Sequence, residues 1–87
     1  MLDKKVVRLG ETNFTVTEIK MADMLPIMPR LTTDPEAAQL DMMKACVMVD
    51  GKPIGDDVLQ LGVKSYMKLT KAVMDVNGLM EDESGKD

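Results

Sequence analysis

Residues 34–49 constrain the fold most strongly, because their apolar side chains recur at helical spacing on two neighbouring stripes. Asp34 suits the N-cap, and Pro35 suits the first helical position, where no backbone N–H is needed. The stripes consist of Leu40, Met43 and Val47 and, beside them, Met42, Cys46 and Val49. An apolar face this wide predicts a central helix that is covered on both sides by other elements.

The length and composition of the chain predict one small domain with an aliphatic core. The chain has 87 residues, and Phe14 and Tyr66 are its only aromatic residues. Its core must therefore use aliphatic side chains and some of its ten methionines, which fill irregular gaps but specify packing weakly. Cys46 is the only cysteine, so no intrachain disulfide can form, and we expect a reducing compartment. Its place in an apolar stripe predicts a buried side chain.

The charge and hydropathy of the chain bear on its partners and its location. The net charge is −4 and the pI is about 4.7, which argues against nucleic acid because phosphate binding needs concentrated Lys and Arg. No apolar run approaches the roughly 20 residues that span a bilayer. The first residues do not resemble a secretory signal. We therefore expect a cytoplasmic protein with no nucleic-acid partner and no membrane association.

The first twenty residues predict a β-hairpin. Residues 4–9 and 14–19 are rich in β-branched side chains and alternate in polarity. Residues 10–13 between them suit a short hairpin loop. Because a two-stranded hairpin is only marginally stable alone, its apolar face must rest on a helix.

The rest of the chain predicts helices on both sides of the central one. Residues 21–31 have a helical apolar stripe that Pro26 and Pro29 interrupt, so we expect a short or kinked helix. Residues 50–53 predict a turn, residues 55–61 a short helical segment, and residues 63–77 a last helix that ends at Gly78. The predicted class is α+β: a mostly α-helical domain with an N-terminal β-hairpin and three to four helices. It occupies residues 1–80 and precedes a disordered acidic tail at 81–87.

The residues that usually carry chemistry do not form a recognisable site in this sequence. The chain has no histidine, which excludes a histidine-based catalytic triad, a histidine general base and a histidine metal ligand. Asp56 and Asp57 are adjacent, but their position at a helix start is explained by capping. The calcium-loop frame that begins at Asp75 has Met80 at the glycine position and Lys86 at the glutamate position, and the frame that begins at Asp50 has Lys52 at the third ligand position. We expect no catalytic residue, no cofactor and no metal.

The methionine distribution supports two interpretations. The methionines of the predicted helices fill the core, or some of them form an adaptable apolar groove for a partner helix. The second interpretation places the binding surface on the first helix, where the prolines keep the helix short. Its candidate residues are Met21, Met24, Met28 and Leu31.

The order of these motifs resembles a known family. They are the strand pair at 6–9 and 14–19, the step Lys20-Met21-Ala22-Asp23-Met24-Leu25, the helix start Asp34-Pro35-Glu36, and the final helix with Tyr66, Leu69 and Val73. This layout, over residues 4–79, is similar to that of the small tail assembly chaperones of tailed bacteriophages, the Mu-like and related kinds.

The resemblance implies a function without catalysis. Such chaperones bind the long, helical tape-measure protein in the host cytoplasm and keep it soluble until tail-tube subunits polymerise around it. Two alternatives remain open for this chain. One is a small structural virion or tail-completion protein that forms a ring and is therefore a homo-oligomer. The other is an inhibitory adaptor that binds a host protein.

Overall fold

The computed structural model describes residues 2–79, and it confirms the α+β class with an N-terminal β-hairpin. The predicted tail at 81–87 lies outside the described residues. Among residues 2–79, no helix is both long and apolar enough to cross a membrane. The elements in chain order are β1 (Lys4–Leu9), β2 (Thr12–Thr17), α1 (Met21–Met24), α2 (Arg30–Thr33), α3 (Pro35–Cys46), β3 (Val47–Val49), β4 (Lys52–Pro53), a 3₁₀ helix (Gly55–Gln60) and α4 (Val63–Val76).

The first hairpin is tighter than predicted. β1 and β2 are antiparallel, and only Gly10 and Glu11 lie between them. Gly10 has a φ of +64°, which suits the first central position of a two-residue hairpin turn. Because two residues suffice for this turn, β2 begins at Thr12 and ends at Thr17, so the predicted strand at 14–19 was displaced by two residues.

The central helix begins as predicted but ends earlier. The Asp34 carboxylate accepts a hydrogen bond of 3.3 Å from the Ala37 N–H, which confirms the cap. The helix ends at Cys46 rather than Val49, and the next three residues form β3 beside β2. In this strand Val47 lies opposite Val16. The prediction of helix through residue 49 was wrong because Val47 and Val49, which fit the helical stripe, also fit a strand.

The turn predicted at residues 50–53 is a second tight hairpin. Asp50 and Gly51 have φ values of 55° and 79°, both in the left-handed region. Two such residues form the turn that matches the twist of antiparallel strands. The chain therefore returns as β4, and the sheet has the order β1-β2-β3-β4.

The region predicted as one short or kinked helix contains two helices of a single turn, α1 and α2. Pro26 and Pro29 lie between them, where each removes a backbone donor. Ile27, between the prolines, is buried and anchors this segment to the core. α2 ends at Thr33, directly before the cap of the central helix at Asp34.

The last helix ends as predicted. Gly78 has a φ of 70°, and the Leu79 N–H donates to the Met74 carbonyl at 2.8 Å. The Gly78 N–H donates to the Asp75 carbonyl at 3.1 Å. These two bonds form a Schellman motif, which turns Leu79 back along the helix.

The core lies between the two long helices and one face of the sheet. This face carries Phe14, Val16 and Val47, whereas Val6 on the opposite face is exposed. Every residue of the two predicted stripes of the central helix belongs to the core or packs against it. The fully buried side chains of largest volume are Met43, Leu69, Val16, Val47 and Cys46.

Candidate partner-binding groove

The four residues predicted to bind a partner lie near one another but differ in exposure. Met21, Met28 and Leu31 are exposed, with relative areas of 63%, 47% and 43%. Met24 is half-buried and packs against the core. Three of the four side chains are therefore exposed to solvent, and the fourth, Met24, anchors α1 to the core.

Leu31 lies at the edge of an apolar groove that α2, α3 and α4 form together. Leu31 and Pro35 form one wall, Met42 and Met43 the floor, and Val73, Met74 and Leu79 the opposite wall. The groove has a volume of about 180 Å³, and Gln39 is the one polar residue among the described residues that line it. An apolar cleft of this kind is suited to apolar side chains of a partner.

A second depression adjoins this groove and reaches the predicted methionines. Met21 and Met24 line it on one side, and Asn77 lines it on the other; its volume is about 230 Å³. Met42 and Leu79 border both depressions, so the two are neighbours on the surface. We call the combined surface the apolar groove.

Polar contacts hold the walls of the groove in place. The Asn77 side chain accepts a hydrogen bond of 2.8 Å from the Ile19 N–H, which ties the end of α4 to the segment after β2. The Arg30 guanidinium pairs with the Asp41 carboxylate, which joins α2 to α3. The groove is therefore formed by fixed elements, while its methionine side chains can adapt to a partner.

Cys46 lies beneath the apolar groove, and its thiol is unreactive. Its side chain is fully buried, as predicted. Burial raises the pKa of the Cys46 thiol, the Asn77 hydrogen bond lowers it, and the nearby Asp23 charge raises it further. Because the net shift is upward, the thiol is protonated at neutral pH and is a weak nucleophile.

The acidic residues show no metal-binding arrangement within the described part of the chain. No group of three or more His, Cys, Asp or Glu side chains there could hold a metal ion. Asp56 forms an ion pair of 3.1 Å with Lys44, and Asp57 lies in the first turn of the 3₁₀ helix. The absence of an enzymatic activity stays a prediction.

Sequence reasoning missed half of the groove. Met42 belongs to the core as predicted and also lines the groove. Met74 and Leu79 were given no binding role, although they line the groove beside it. One signal was available. Met74 falls outside the apolar stripe that Tyr66, Leu69 and Val73 form on α4, so its side chain had to lie on a flank of the helix.

Comparison of the chain with protein-family models, curated proteins and solved structures gives no match.

Proposed function

We propose that this chain is a non-enzymatic assembly chaperone whose apolar groove binds a helical segment of a client protein. The observation that carries the proposal is the groove itself, which is rich in methionine and is lined by the exposed side chains of Met21 and Leu31. The sequence resemblance supplies the identity of the client. It is the tape-measure protein of a tailed phage, bound in the host cytoplasm.

The shape and chemistry of the groove suit a helical client. An amphipathic helix binds in a groove through side chains at i, i+3, i+4 and i+7, which form one apolar stripe. The two neighbouring depressions together offer an elongated surface rather than a closed pocket. Methionine side chains are unbranched and flexible, so the same groove can accept successive segments of a long client. These properties match a chaperone better than a binder of one small ligand.

Exposed apolar side chains near the groove also favour a partner. Leu25 and Met28 between α1 and α2 are exposed, and Leu31 in α2 lies on the wall of the groove. Clustered apolar side chains on a soluble surface commonly mark sites of protein association. In the proposed function they extend the contact beyond the groove and shield apolar residues of the client from aggregation.

The proposal is tested by co-expressing the chain with the tape-measure protein encoded nearby and measuring the soluble fraction of the client. The groove variant is Leu31→Asp/Met74→Asp. The matched control is Leu59→Asp/Val63→Asp, whose side chains are 62% and 76% exposed and lie outside the groove. Both variants add two negative charges, and circular dichroism checks that both are folded.

The expected result is a soluble complex with the wild-type chain and with the control, and an insoluble client with the groove variant. A client that remains soluble without this chain, and does not co-purify with it, would contradict the proposal and favour the ring-forming alternative. Equal solubilisation by the groove variant and the wild type would show that the binding surface lies elsewhere.

A further inference from the structure

The outer edge of the sheet exposes a row of backbone hydrogen-bonding groups. β1 pairs with β2 on one side and, among residues 2–79, with no strand on the other. The Asp3 carbonyl accepts a hydrogen bond of 2.8 Å from the Glu18 N–H. These two residues continue the register in which Lys4 lies opposite Thr17, so they form a hydrogen-bonded pair.

The alternation of an antiparallel ladder then identifies the free groups. Hydrogen-bonded and non-hydrogen-bonded pairs alternate along two strands, so every second residue directs its N–H and C=O toward the partner strand. The residues whose N–H and C=O point toward β2 are Lys5, Val7 and Leu9. The residues whose N–H and C=O point to the open edge are Lys4, Val6 and Arg8.

An open groove runs beside this edge, between β1 and α4. Its volume is about 440 Å³. Val7 and Ala72 supply apolar surface, and Lys68 and Lys71 line it on the helix side. An extended segment placed there can bond to the backbone of β1 and contact α4 with its side chains. The groove lies on the flank of α4 that faces β1, whereas Met74 and the apolar groove lie on the other flank.

Positive charge is concentrated around this second groove, although the chain is acidic overall. Asp75 is the one carboxylate on β1 and α4, and the Lys5 ammonium already binds it at 3.1 Å. Lys68 and Lys71 take part in none of the ion pairs found among residues 2–79. Of the 11 Lys and Arg residues of the chain, six lie on these two elements: Lys4, Lys5, Arg8, Lys64, Lys68 and Lys71.

We propose that the free edge of β1 and the adjoining groove bind an extended, acidic segment of a partner protein, which adds to the sheet as a further strand. Its side chains on one face would lie beside Lys4 and Arg8, and those on the other beside Lys68 and Lys71. This site is separate from the apolar groove and does not rest on the function proposed above.

Two other occupants fit the edge less well. A second copy that paired its own β1 antiparallel to this one would bring Lys4 of one strand close to Arg8 of the other, and like charges across a ladder destabilise it. The phosphates of a nucleic acid could pair with the lysines, but phosphates only accept hydrogen bonds and would leave the C=O groups of the edge unpaired. A peptide backbone satisfies both the N–H and the C=O groups of Lys4, Val6 and Arg8.

The test uses a capped peptide of sequence Glu-Val-Glu-Val-Glu-Val-Glu, and the control peptide has Lys in place of each Glu. Fluorescence anisotropy measures binding to the full chain, and amide hydrogen exchange by NMR locates it. We expect the acidic peptide alone to bind, more weakly as salt is added. The amides of Lys4, Val6 and Arg8 should become protected on binding, while those of Lys5 and Val7 are already protected by β2.

Two pairs of variants separate the backbone contribution from the charge contribution. Val6→Pro removes an edge N–H, which an edge strand tolerates, and should weaken binding by about tenfold or more, while Val6→Thr retains binding. Lys68→Glu/Lys71→Glu should abolish detectable binding. Its control, Lys20→Glu/Lys52→Glu, makes the same change in net charge away from the groove and should bind as the wild type does.

Several results would overturn the proposal. One is unchanged affinity in both Val6→Pro and Lys68→Glu/Lys71→Glu. Another is protection of the Lys4, Val6 and Arg8 amides before peptide is added, which would assign the edge to this chain itself or to a second copy. A third is equal binding of a single-stranded oligonucleotide without protection of these amides, which would identify the surface as a polyanion site.

Discussion

The side-chain oxygen of Asn77 accepts a hydrogen bond of 2.8 Å from the backbone N–H of Ile19. The nitrogen of the same amide donates to the Val73 carbonyl at 2.8 Å and lies 3.8 Å from the Cys46 sulfur. One side chain at the end of α4 therefore joins the segment after β2, α4 and α3. Because Asn77 also lines the apolar groove, we expect it to fix the groove as well as to stabilise the fold.

Replacing Asn77 by alanine should lower the free energy of unfolding by about 1–3 kcal/mol, because the partly buried Ile19 N–H loses its acceptor. Urea unfolding at neutral pH measures this change. Asn13→Ala is the matched control, since Asn13 is exposed on β2, and it should change stability by less than about 0.5 kcal/mol. Equal losses in the two variants would contradict the role given to Asn77.

The methionines should divide into core and surface residues. Met43 is fully buried, so Met43→Ala should lower stability by about 2–5 kcal/mol, whereas Met43→Leu should lower it by less than about 1.5 kcal/mol. Met21 is 63% exposed, and Met21→Ala should lie within about 0.5 kcal/mol of the wild type. Thermal or urea unfolding compares the three. A large loss in Met21→Ala would mean that Met21 belongs to the core.

The turn between β3 and β4 requires a left-handed residue at position 51. Gly51 has a φ of 79°, with no atom near the position that a Cβ would occupy. The loss in Gly51→Ala should therefore be conformational, about 1–2 kcal/mol of unfolding free energy. Gly51→Asn should lose less, because asparagine adopts this region more readily. Equal losses of stability in Gly51→Ala and Gly51→Asn, measured by urea unfolding, would show that the left-handed backbone at position 51 is not the cause.

The Cys46 thiol should make stability fall at alkaline pH. Burial is the main cause that raises its pKa above the ordinary value of 9.0 in the folded chain. The unfolded chain therefore releases the thiol proton at a lower pH than the folded chain does. The stability that depends on the protonated thiol is therefore fully present below about pH 9, and it is lost as the pH rises through the pKa of the folded chain.

Urea unfolding of the wild type and of Cys46→Ala from pH 7 to pH 10.5 measures this effect. The variant is less stable at every pH because it loses packing, but it should lack the thiol-dependent part of the decline. Parallel curves for the two proteins would show that the thiol titrates alike in the folded and unfolded chains.

The sequence predicted the elements whose signals are local. The cap at Asp34, the helix end at Gly78 and the first hairpin depend on residues close together in the chain, and each lies within two residues of its predicted place. The second hairpin was missed for a physical reason. Val47 and Val49 continue the helical stripe of α3 and also suit a strand, and the positive φ at Asp50 and Gly51 decides between the two.

The apolar groove could be predicted only in part. Met21, Met24 and Leu31 belong to one segment, so their spacing was visible in the sequence. Met74 and Leu79 join them only because α4 packs beside α3 and because Gly78 turns Leu79 back along the helix. Such a juxtaposition depends on tertiary packing, which the periodicity of a single helix does not specify.

The most direct test of the central claim is an NMR titration of the full chain, labelled at the methionine methyl groups, with helical segments of the tape-measure protein. If the client binds in the apolar groove, the methyl signals of Met21, Met42 and Met74 should shift together at saturation. The signal of Met48, whose strand position places it on the opposite face of the sheet, should not move. Shifts confined to Met48, or no shift with a client that this chain keeps soluble, would contradict binding in the apolar groove.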